Sequence, residues 1–289
     1  MTTPRFITAA TYKVYLPSAP VQSYTIAAPV YHLSLDGIAT PSVVRQFQPY
    51  PNGDGGVDKG FRLQPRQLVW RLFVDASSET ELESKRTELY RAFRASEQAL
   101  QLEVTKAGGG QRTLDVHVSG PIEFRESGQV GYSCEVAIPL YAPEPAWYYS
   151  VRNSQLFNLA TATAGSVAVD YIGNWFEYPV LELANGFANL KLTDIAGTTI
   201  DFTGHTFGVG TTYTIDLRPG AKTAVDNTGT DISANIVSTN WGSFGLYPGP
   251  LTGSSGTLTL NLNTINATYT SKNVGSAITI RWYDRYLNL

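Results

Sequence analysis

The chain has 289 residues, of which 43% are hydrophobic and 16% are charged, and its formal net charge is −3 at pH 7. This composition indicates a globular protein without the basic excess of nucleic-acid-binding proteins, and the single cysteine, Cys134, excludes a disulfide framework or a cysteine-based zinc site. There is no signal-peptide apolar region and no apolar run long enough to cross a bilayer, so we expect a soluble protein made in the cytosol with no membrane partner.

The first unusual segment in chain order is "QPYPNGDGGVDKG", residues 48–60. It combines glycines with prolines and shows no apolar periodicity. A connection of this length is long for a hairpin, and long loops are commonly either mobile or used for contacts. The sequence therefore predicts an extended loop here.

Alternating apolar and polar residues then predict several strands. In one of them Leu114, Val116 and Val118 share a face, as expected for a strand buried on one side. A glycine-rich turn at 107–110 joins two of the strands. The predicted strands of the first half cover residues 68–74, 100–106, 112–119 and 132–140.

One segment of the first half, residues 78–96, has a helical pattern. Ser78 and Glu81 have the spacing of a capping box, which satisfies free backbone N–H groups at a helix start. Leu82, Leu89 and Phe93 fall on one face of this helix and are expected to pack on the strands. A strand that leads into a helix and is followed by further strands predicts a β-sandwich with one packed α-helix.

The midpoint segment "APEPAWYY", residues 142–149, is rich in proline and aromatic residues and separates two compositions. Residues 1–148 contain 14 of the 21 lysines and arginines, whereas residues 149–289 contain 21 threonines against 10 before them. Proline fixes φ and stiffens a connector. We therefore predict two domains, 1–148 and 149–289, joined by a short, semi-rigid linker.

The second half is predicted to be entirely β. Short alternating runs separated by turn residues are typical of a sandwich. A second glycine-rich loop with interleaved aromatics covers 240–256. The predicted strands cover residues 188–194, 198–203, 211–217, 256–262 and 276–283.

Enzyme motifs are missing from the sequence. No nucleophile elbow, zinc-protease helix or phosphate-binding loop occurs in the required setting. None of His32, His117 and His205 has a second ligand at metal-binding spacing, and no pair of acidic residues marks a glycosidase site. We expect no catalytic residue, no metal and no cofactor.

Several segments resemble one family of phage proteins. The most specific is "VAIPLYAPEPAWY" (136–148), a strand running into a proline and aromatic joint. Further resemblance lies in "RQLVWRLFV" (66–74) ahead of the helix, and in the second half, where it covers "GNWFEYPVLELANGFANLKLTDIAGTTIDF" (173–202), "FGLYPG" (244–249) and "ITIRWYDRYL" (278–287). Over nearly its whole length the chain resembles the siphophage distal tail protein (Dit) family.

This resemblance implies a structural, non-enzymatic role in the virion. Members of the family form hexameric rings from their N-terminal β-sandwich, and a galectin-like C-terminal β-sandwich projects outward. The ring joins the tail tube to the tail hub at the distal end of the tail. The implied partners are further copies of the chain, the tail tube protein, the tail hub protein and a receptor-binding protein. DNA passes through the ring lumen without specific binding, and the chain is made in the host cytoplasm.

Within such a ring, the loop at 48–61 is expected to contact an adjacent subunit. Glycines would let it follow a neighbour's surface, and the aromatic residues near its ends would anchor it. The alternative is a loop tip that contacts nothing. The residues expected to make the contact are Tyr50, Asn52, Asp54, Lys59 and Phe61.

A carbohydrate-binding module that recognises host surface glycans is the alternative function. Sandwich domains use exposed aromatic side chains to stack on sugar rings, although most aromatics belong to a core or an interface. The candidate glycan or partner contacts are Trp241, Phe244 and Tyr247.

Overall fold

The computed structural model describes residues 10–16, 19–50, 54, 56–94, 99–106, 110–126, 132–159, 164–248 and 263–289. The chain divides into two compact units. Unit 1 consists of Met1–Ser150 with Leu287–Leu289, and unit 2 consists of Val151–Tyr286. The last three residues, which the sequence placed in the second domain, thus belong to unit 1, where the Arg66 side chain donates to the carbonyl of Leu287.

Unit 1 is built almost entirely of strands. They are β1 (Ala10–Leu16), β2 (Ala19–Thr25), β3 (Val30–Asp36), β4 (Val43–Pro49), β5 (Gly56–Leu63), β6 (Arg66–Ala76), β7 (Leu100–Lys106), β8 (Gln111–Val118), β9 (Glu123–Glu126), β10 (Tyr132–Ala142) and β11 (Trp147–Tyr148), and the helix α1 (Glu79–Ala92) lies between β6 and β7.

Two antiparallel sheets pack face to face in unit 1. One has the order β2-β1-β7-β8 and the other the order β9-β10-β6-β3, and they meet where the end of β10 pairs with the end of β8. Between them Tyr12 of β1 stacks on His32 of β3, with ring centroids 4.0 Å apart. Trp70 of β6 donates its Nε1–H to Nδ1 of His32 at 3.0 Å, and burial lowers the pKa of His32, which suits a neutral acceptor. The predicted mainly-β sandwich is confirmed.

The strands predicted in the first half correspond to β6, β7, β8 and β10. In β6, β7 and β10 the inward residues are buried at every second position, as the alternation predicted. In β8, Thr113, Leu114 and Val116 are buried, whereas Val118 is only partly buried. Cys134 belongs to this pattern: it is a fully buried residue of β10 with a free thiol.

The helix α1 begins at its predicted cap and packs through its predicted face. The hydroxyl of Ser78 accepts the backbone N–H of Glu81 at 3.2 Å, and the Glu81 carboxylate accepts the backbone N–H of Ser77 at 2.7 Å. Leu82, Leu89 and Phe93 are all buried. The Phe93 ring meets Trp70 of β6 edge-on at 5.6 Å. Regular helix ends at Ala92 rather than at residue 96, with Phe93 as its C-cap.

The loop predicted at 48–60 is largely a strand pair. Strand β4 runs to Pro49 and β5 starts at Gly56, and the two are antiparallel partners. Only residues 50–55 connect them, so the prediction of one long loop was wrong. Alternation continues through Val57 and Phe61, but the interspersed glycines obscured it in the sequence.

The proline and aromatic segment at the midpoint, which the sequence predicted to be a short, semi-rigid linker, packs within unit 1. Trp147 and Ala146 are buried. Tyr148 in β11 pairs with Thr113 of β8, and its hydroxyl donates to Asp115 at 2.7 Å. Trp147 of this segment therefore belongs to the buried core of unit 1, whereas Tyr148 is only partly buried.

Unit 2 is also built of strands. They are β12 (Asn153–Asn158), β13 (Ala164–Val169), β14 (Val180–Ala184), β15 (Phe187–Ala188), β16 (Lys191–Thr193), β17 (Thr199–Asp201), β18 (Thr212–Asp216), β19 (Thr223–Asp226), β20 (Asn263–Thr268), β21 (Ser271–Lys272), β22 (Ala277–Trp282) and β23 (Arg285–Tyr286), with 3-10 turns at Ser233–Asn235 and Trp241–Ser243.

Unit 2 is a second sandwich. A five-stranded sheet in the order β12-β22-β14-β18-β19 faces a four-stranded sheet in the order β13-β20-β16-β17. Their inner faces share one apolar core, to which β14 contributes Leu181 and Leu183, and β22 contributes Ile278 and Ile280. The strand predicted at 256–262 lies outside the described residues. The galectin-like character of this unit stays a prediction.

Within the described part of the chain, no helix combines the length and apolar character that a membrane span requires.

We expect Phe93→Ala to lower the free energy of unfolding by about 3–5 kcal/mol, because it leaves a cavity at a fully buried position against Trp70. Urea denaturation measures the change. Tyr90→Ala on the same helix is the matched control, since the Tyr90 side chain is 53% exposed. Equal effects of the two substitutions would contradict the assigned packing face.

We expect residues 151–286, produced alone, to fold into a soluble all-β domain, because unit 2 has a core of its own. Circular dichroism should show strand structure and a single cooperative thermal transition. An unfolded or aggregated fragment would show that unit 2 depends on unit 1 for folding.

Candidate assembly interface

The β4–β5 hairpin is the most exposed element of unit 1. We call residues 43–63 the arm. Every residue of β4 is exposed, and among the described strands β4 and β5 pair only with each other. A two-stranded hairpin is at best marginally stable in water unless something packs on it. The arm is therefore an element that needs a surface to cover it.

A bulge divides the arm and fixes its two faces. Arg45 pairs with Phe61 and Phe47 pairs with Asp58, so two residues of β5 stand opposite one residue of β4. One of the two is Gly60, whose φ of +104° favours glycine. The backbone N–H of Gly60 and the side chain of Arg45 both donate to Asp58, and these bonds lower the pKa of Asp58. The bend is thus held by specific hydrogen bonds.

One face of the arm carries exposed apolar side chains beside an ion pair. The pairing places Val43, Phe47 and Phe61 on this face together with the ion pair of Arg45 and Asp58. Val43 is 48% exposed, Phe47 61% and Phe61 50%. Contiguous exposed apolar side chains on a soluble protein indicate an interaction surface.

The base of the arm is fixed to unit 1 by close backbone packing. Gly37 has φ +86°, and a Cβ at this position would lie 2.2 Å from the carbonyl oxygen of Gln67. The buried guanidinium of Arg66, the first residue of β6 after the arm, donates to the carbonyls of Gly37 and Ala39 just before it. The arm therefore projects from a rigid base.

The structure brings most of the predicted contact residues into the arm. Tyr50 and Asp54 are exposed in the connection between the strands, and Lys59 and Phe61 are exposed on β5. Asn52 lies outside the described residues. Sequence reasoning missed Val43 and Phe47, although the alternation in "VVRQFQP" could have identified them as one face of a strand.

The aromatic candidates of unit 2 are divided by the structure. Phe244 is fully buried in the core, so its assignment as a surface contact was wrong: its side chain fills the sandwich interior. Trp241 and Tyr247 are partly exposed. The Tyr247 ring meets Phe176 edge-on at 5.3 Å, and both line a cleft of about 180 Å³. The other residues lining this cleft are Glu177, Tyr178, Ser243 and Gly245.

Glu177, which lines this cleft, is a buried acid that the sequence did not single out. Its Oε2 lies 2.7 Å from Nε of Arg285, and the backbone N–H of Tyr283 donates to its Oε1 at 3.1 Å. Burial raises the pKa of Glu177 to about 7, and the attraction of Arg285 and the backbone bond only partly oppose this shift. Its charge therefore changes near neutral pH.

The described residues hold no group of three or more His, Cys, Asp or Glu side chains placed to bind a metal ion. His117 and His205, like the stacked His32, lie apart in the fold. The candidate binding features are thus the exposed face of the arm and the small cleft beside Phe176 and Tyr247.

No known family model matches the chain, and no curated protein matches its sequence. Among solved structures, the chain is similar to the crystal structure of SPP1 Dit (gp 19.1), described as a paradigm of the hub adsorption apparatus in phages that infect Gram-positive bacteria. The two are 16% identical and superpose with a TM-score of 0.63, over 95% of this chain and 98% of that chain. The protein therefore shares its fold with SPP1 Dit.

Two structures of the phage P2 baseplate in its activated conformation, with Ca and with Sr, are similar more weakly. Their chains are 11% and 12% identical to this one, each with a TM-score of 0.45 over 94% of this chain and 97% of that chain.

We expect the free energy of unfolding to fall as pH rises from about 4.5 to 7, by at most about 3 kcal/mol from Glu177. In this window the folded carboxyl keeps its proton and the unfolded one loses it, so the folded state binds more protons. Glu177→Gln should remove this part of the slope in urea denaturation at pH 5, 6 and 7.

Glu182→Gln is the matched control, because it removes a carboxylate from a surface ion pair with Arg281. An unchanged slope in Glu177→Gln would mean that this carboxyl is already ionised at pH 5.

Proposed function

We propose that the protein is a structural, non-enzymatic component of a phage tail, forming a ring at the distal end of the tail. The observation that carries the proposal is the shared fold with SPP1 Dit along nearly the full length of both chains. The ring is proposed to contain six copies and to join the tail tube protein to the tail hub protein, with a receptor-binding protein attached to it.

The arm supports the self-assembly that this function requires. A ring forms when two different surfaces of one copy meet the matching surfaces of the next. The face of the arm with the exposed side chains of Val43, Phe47 and Phe61 is suited to be one of these surfaces. Aromatic side chains are enriched in interfaces because they bury a large area with little loss of rotamer freedom.

The test is the mass and shape of the purified full-length chain. Each copy has a mass of 31.5 kDa, and we expect a species of six times that mass by light scattering, and rings in negative-stain images. A monomer at every concentration, with no rings on the grid, would contradict the proposal.

The double substitution Phe47→Ser and Phe61→Ser tests the arm. It should leave the unfolding transition of unit 1 in place, because both side chains are at least half exposed, and it should abolish the ring. Tyr90→Ser, which removes an exposed aromatic from α1 instead, is the control and should keep the ring. A ring of unchanged mass in the arm variant would leave the arm without a role in assembly.

Glycan binding by unit 2 is the second candidate function, and the observation in its favour is the cleft beside Phe176 and Tyr247. Aromatic walls suit the apolar face of a sugar ring. Titration of N-acetylglucosamine or glucose into the protein, followed by NMR, tests it. Chemical shift changes in wild type that disappear in Tyr247→Ala would favour it, and unchanged spectra at millimolar sugar would contradict it.

A further inference from the structure

We propose that the arm of one copy docks into a groove on unit 1 of the next copy, between α1 and the strands β1 and β2. This inference rests on the proposed ring and names the second of the two surfaces that close it. The groove has a volume of about 470 Å³. Its floor includes Val14 and Leu100, which are both almost fully buried.

The groove has an apolar floor, aromatic walls and a charged rim. Tyr15 and Tyr24 form one wall, and Arg91 and Arg94 lie on the side of α1. Burial raises the pKa of Tyr24 to about 12, and the nearby carboxylate of Glu88 adds to the shift. The Tyr24 hydroxyl is neutral at physiological pH, and the one carboxylate among the residues that line the groove, Glu88, is paired with Lys85.

The arm matches this groove in chemistry and size. Phe47 and Phe61 are apolar side chains that are at least half exposed, so an apolar floor can bury more of them, and a cleft of this volume can hold such anchors. At the tip of the arm, Asp54 is an exposed carboxylate, which complements the two arginines of the rim. Contacts of this type combine a desolvated aromatic anchor with a charged periphery.

The occupant is inferred to be a second copy and not the same chain. In the structure the arm stays exposed, with Phe47 61% accessible, so it does not fill the groove of its own unit. The arm and the groove are different surfaces of unit 1. A contact between them is therefore head to tail, and repeated head-to-tail contacts generate a closed ring when the rotation allows closure.

The groove is tested by two variants that leave the arm intact. Ala92→Trp fills the groove from α1, and the pair Arg91→Glu and Arg94→Glu reverses the charge of its rim. Both should raise the concentration needed for ring assembly by at least about tenfold, as expected for loss of an interface anchor. Tyr90→Glu is the matched control, because Tyr90 packs on Phe124 and not in the groove, and it should assemble like wild type.

Mixing the arm variant with a groove variant distinguishes the arm–groove contact from other contacts between copies. The arm variant, Phe47→Ser with Phe61→Ser, keeps its groove, and Ala92→Trp keeps its arm. At the concentration at which wild type just forms rings, each should be monomeric alone, and together they should form a one-to-one dimer and no ring, because only one arm–groove contact remains. Sedimentation velocity over a concentration series measures the three samples.

The outcomes separate the inference from the proposed function. Rings in both groove variants at the wild-type concentration, with none in the arm variant, would overturn the groove and leave the ring in place. Absence of the mixed dimer, with both variants folded by circular dichroism, would also overturn it. Failure of the wild-type chain to form rings would instead contradict the proposed function.

Discussion

Unit 1 depends on the hydrogen bonds that the buried guanidinium of Arg66 donates to backbone carbonyls. The guanidinium donates to four backbone carbonyls, those of Gly37, Ala39, Pro145 and Leu287, which come from three distant parts of the chain. Backbone acceptors that are buried without a donor are destabilising, and one planar cation with five N–H groups can satisfy several at once. Burial lowers its pKa to about 10, which still leaves the group protonated at neutral pH.

This arrangement explains how a two-stranded hairpin that pairs with no other described strand can hold its position in the protein. The arm contributes little apolar burial within its own chain, so its position must come from its base. Arg66 and the tight turn at Gly37 supply that base from either side. No described residue of the arm belongs to the buried core of unit 1. A protein built in this way can keep an uncovered apolar face for a partner without lowering the stability of its own fold.

Much of the architecture could be predicted from the sequence, and the errors have physical causes. The face of α1 and the strands β6, β7, β8 and β10 follow regular periodicity, since each buries one continuous row of apolar residues. The strand β5 was missed because glycines and a bulge interrupt its alternation. Phe244 was assigned to the surface because a glycine-rich context resembles a loop, whereas burial is set by residues far away in the sequence.

Long-range polar contacts were beyond the sequence altogether. Arg66 and Glu177 are ordinary residues of strands or loops until the fold surrounds them with carbonyls or with apolar atoms. To recognise the exposed face of the arm, both the residue types and the strand register were needed. Its aromatic ends Tyr50 and Phe61 could be recognised from their types, but the shared face with Val43 and Phe47 follows only from the register.

The position of the single thiol has a consequence for protein chemistry. Cys134 is fully buried in β10, and burial raises the pKa of its thiol, so the reactive thiolate is scarce and shielded. The native chain therefore resembles a cysteine-free protein toward maleimide reagents. A cysteine introduced at an exposed position would be the one that reacts, so fluorophores and spin labels can be attached at chosen sites without first replacing Cys134.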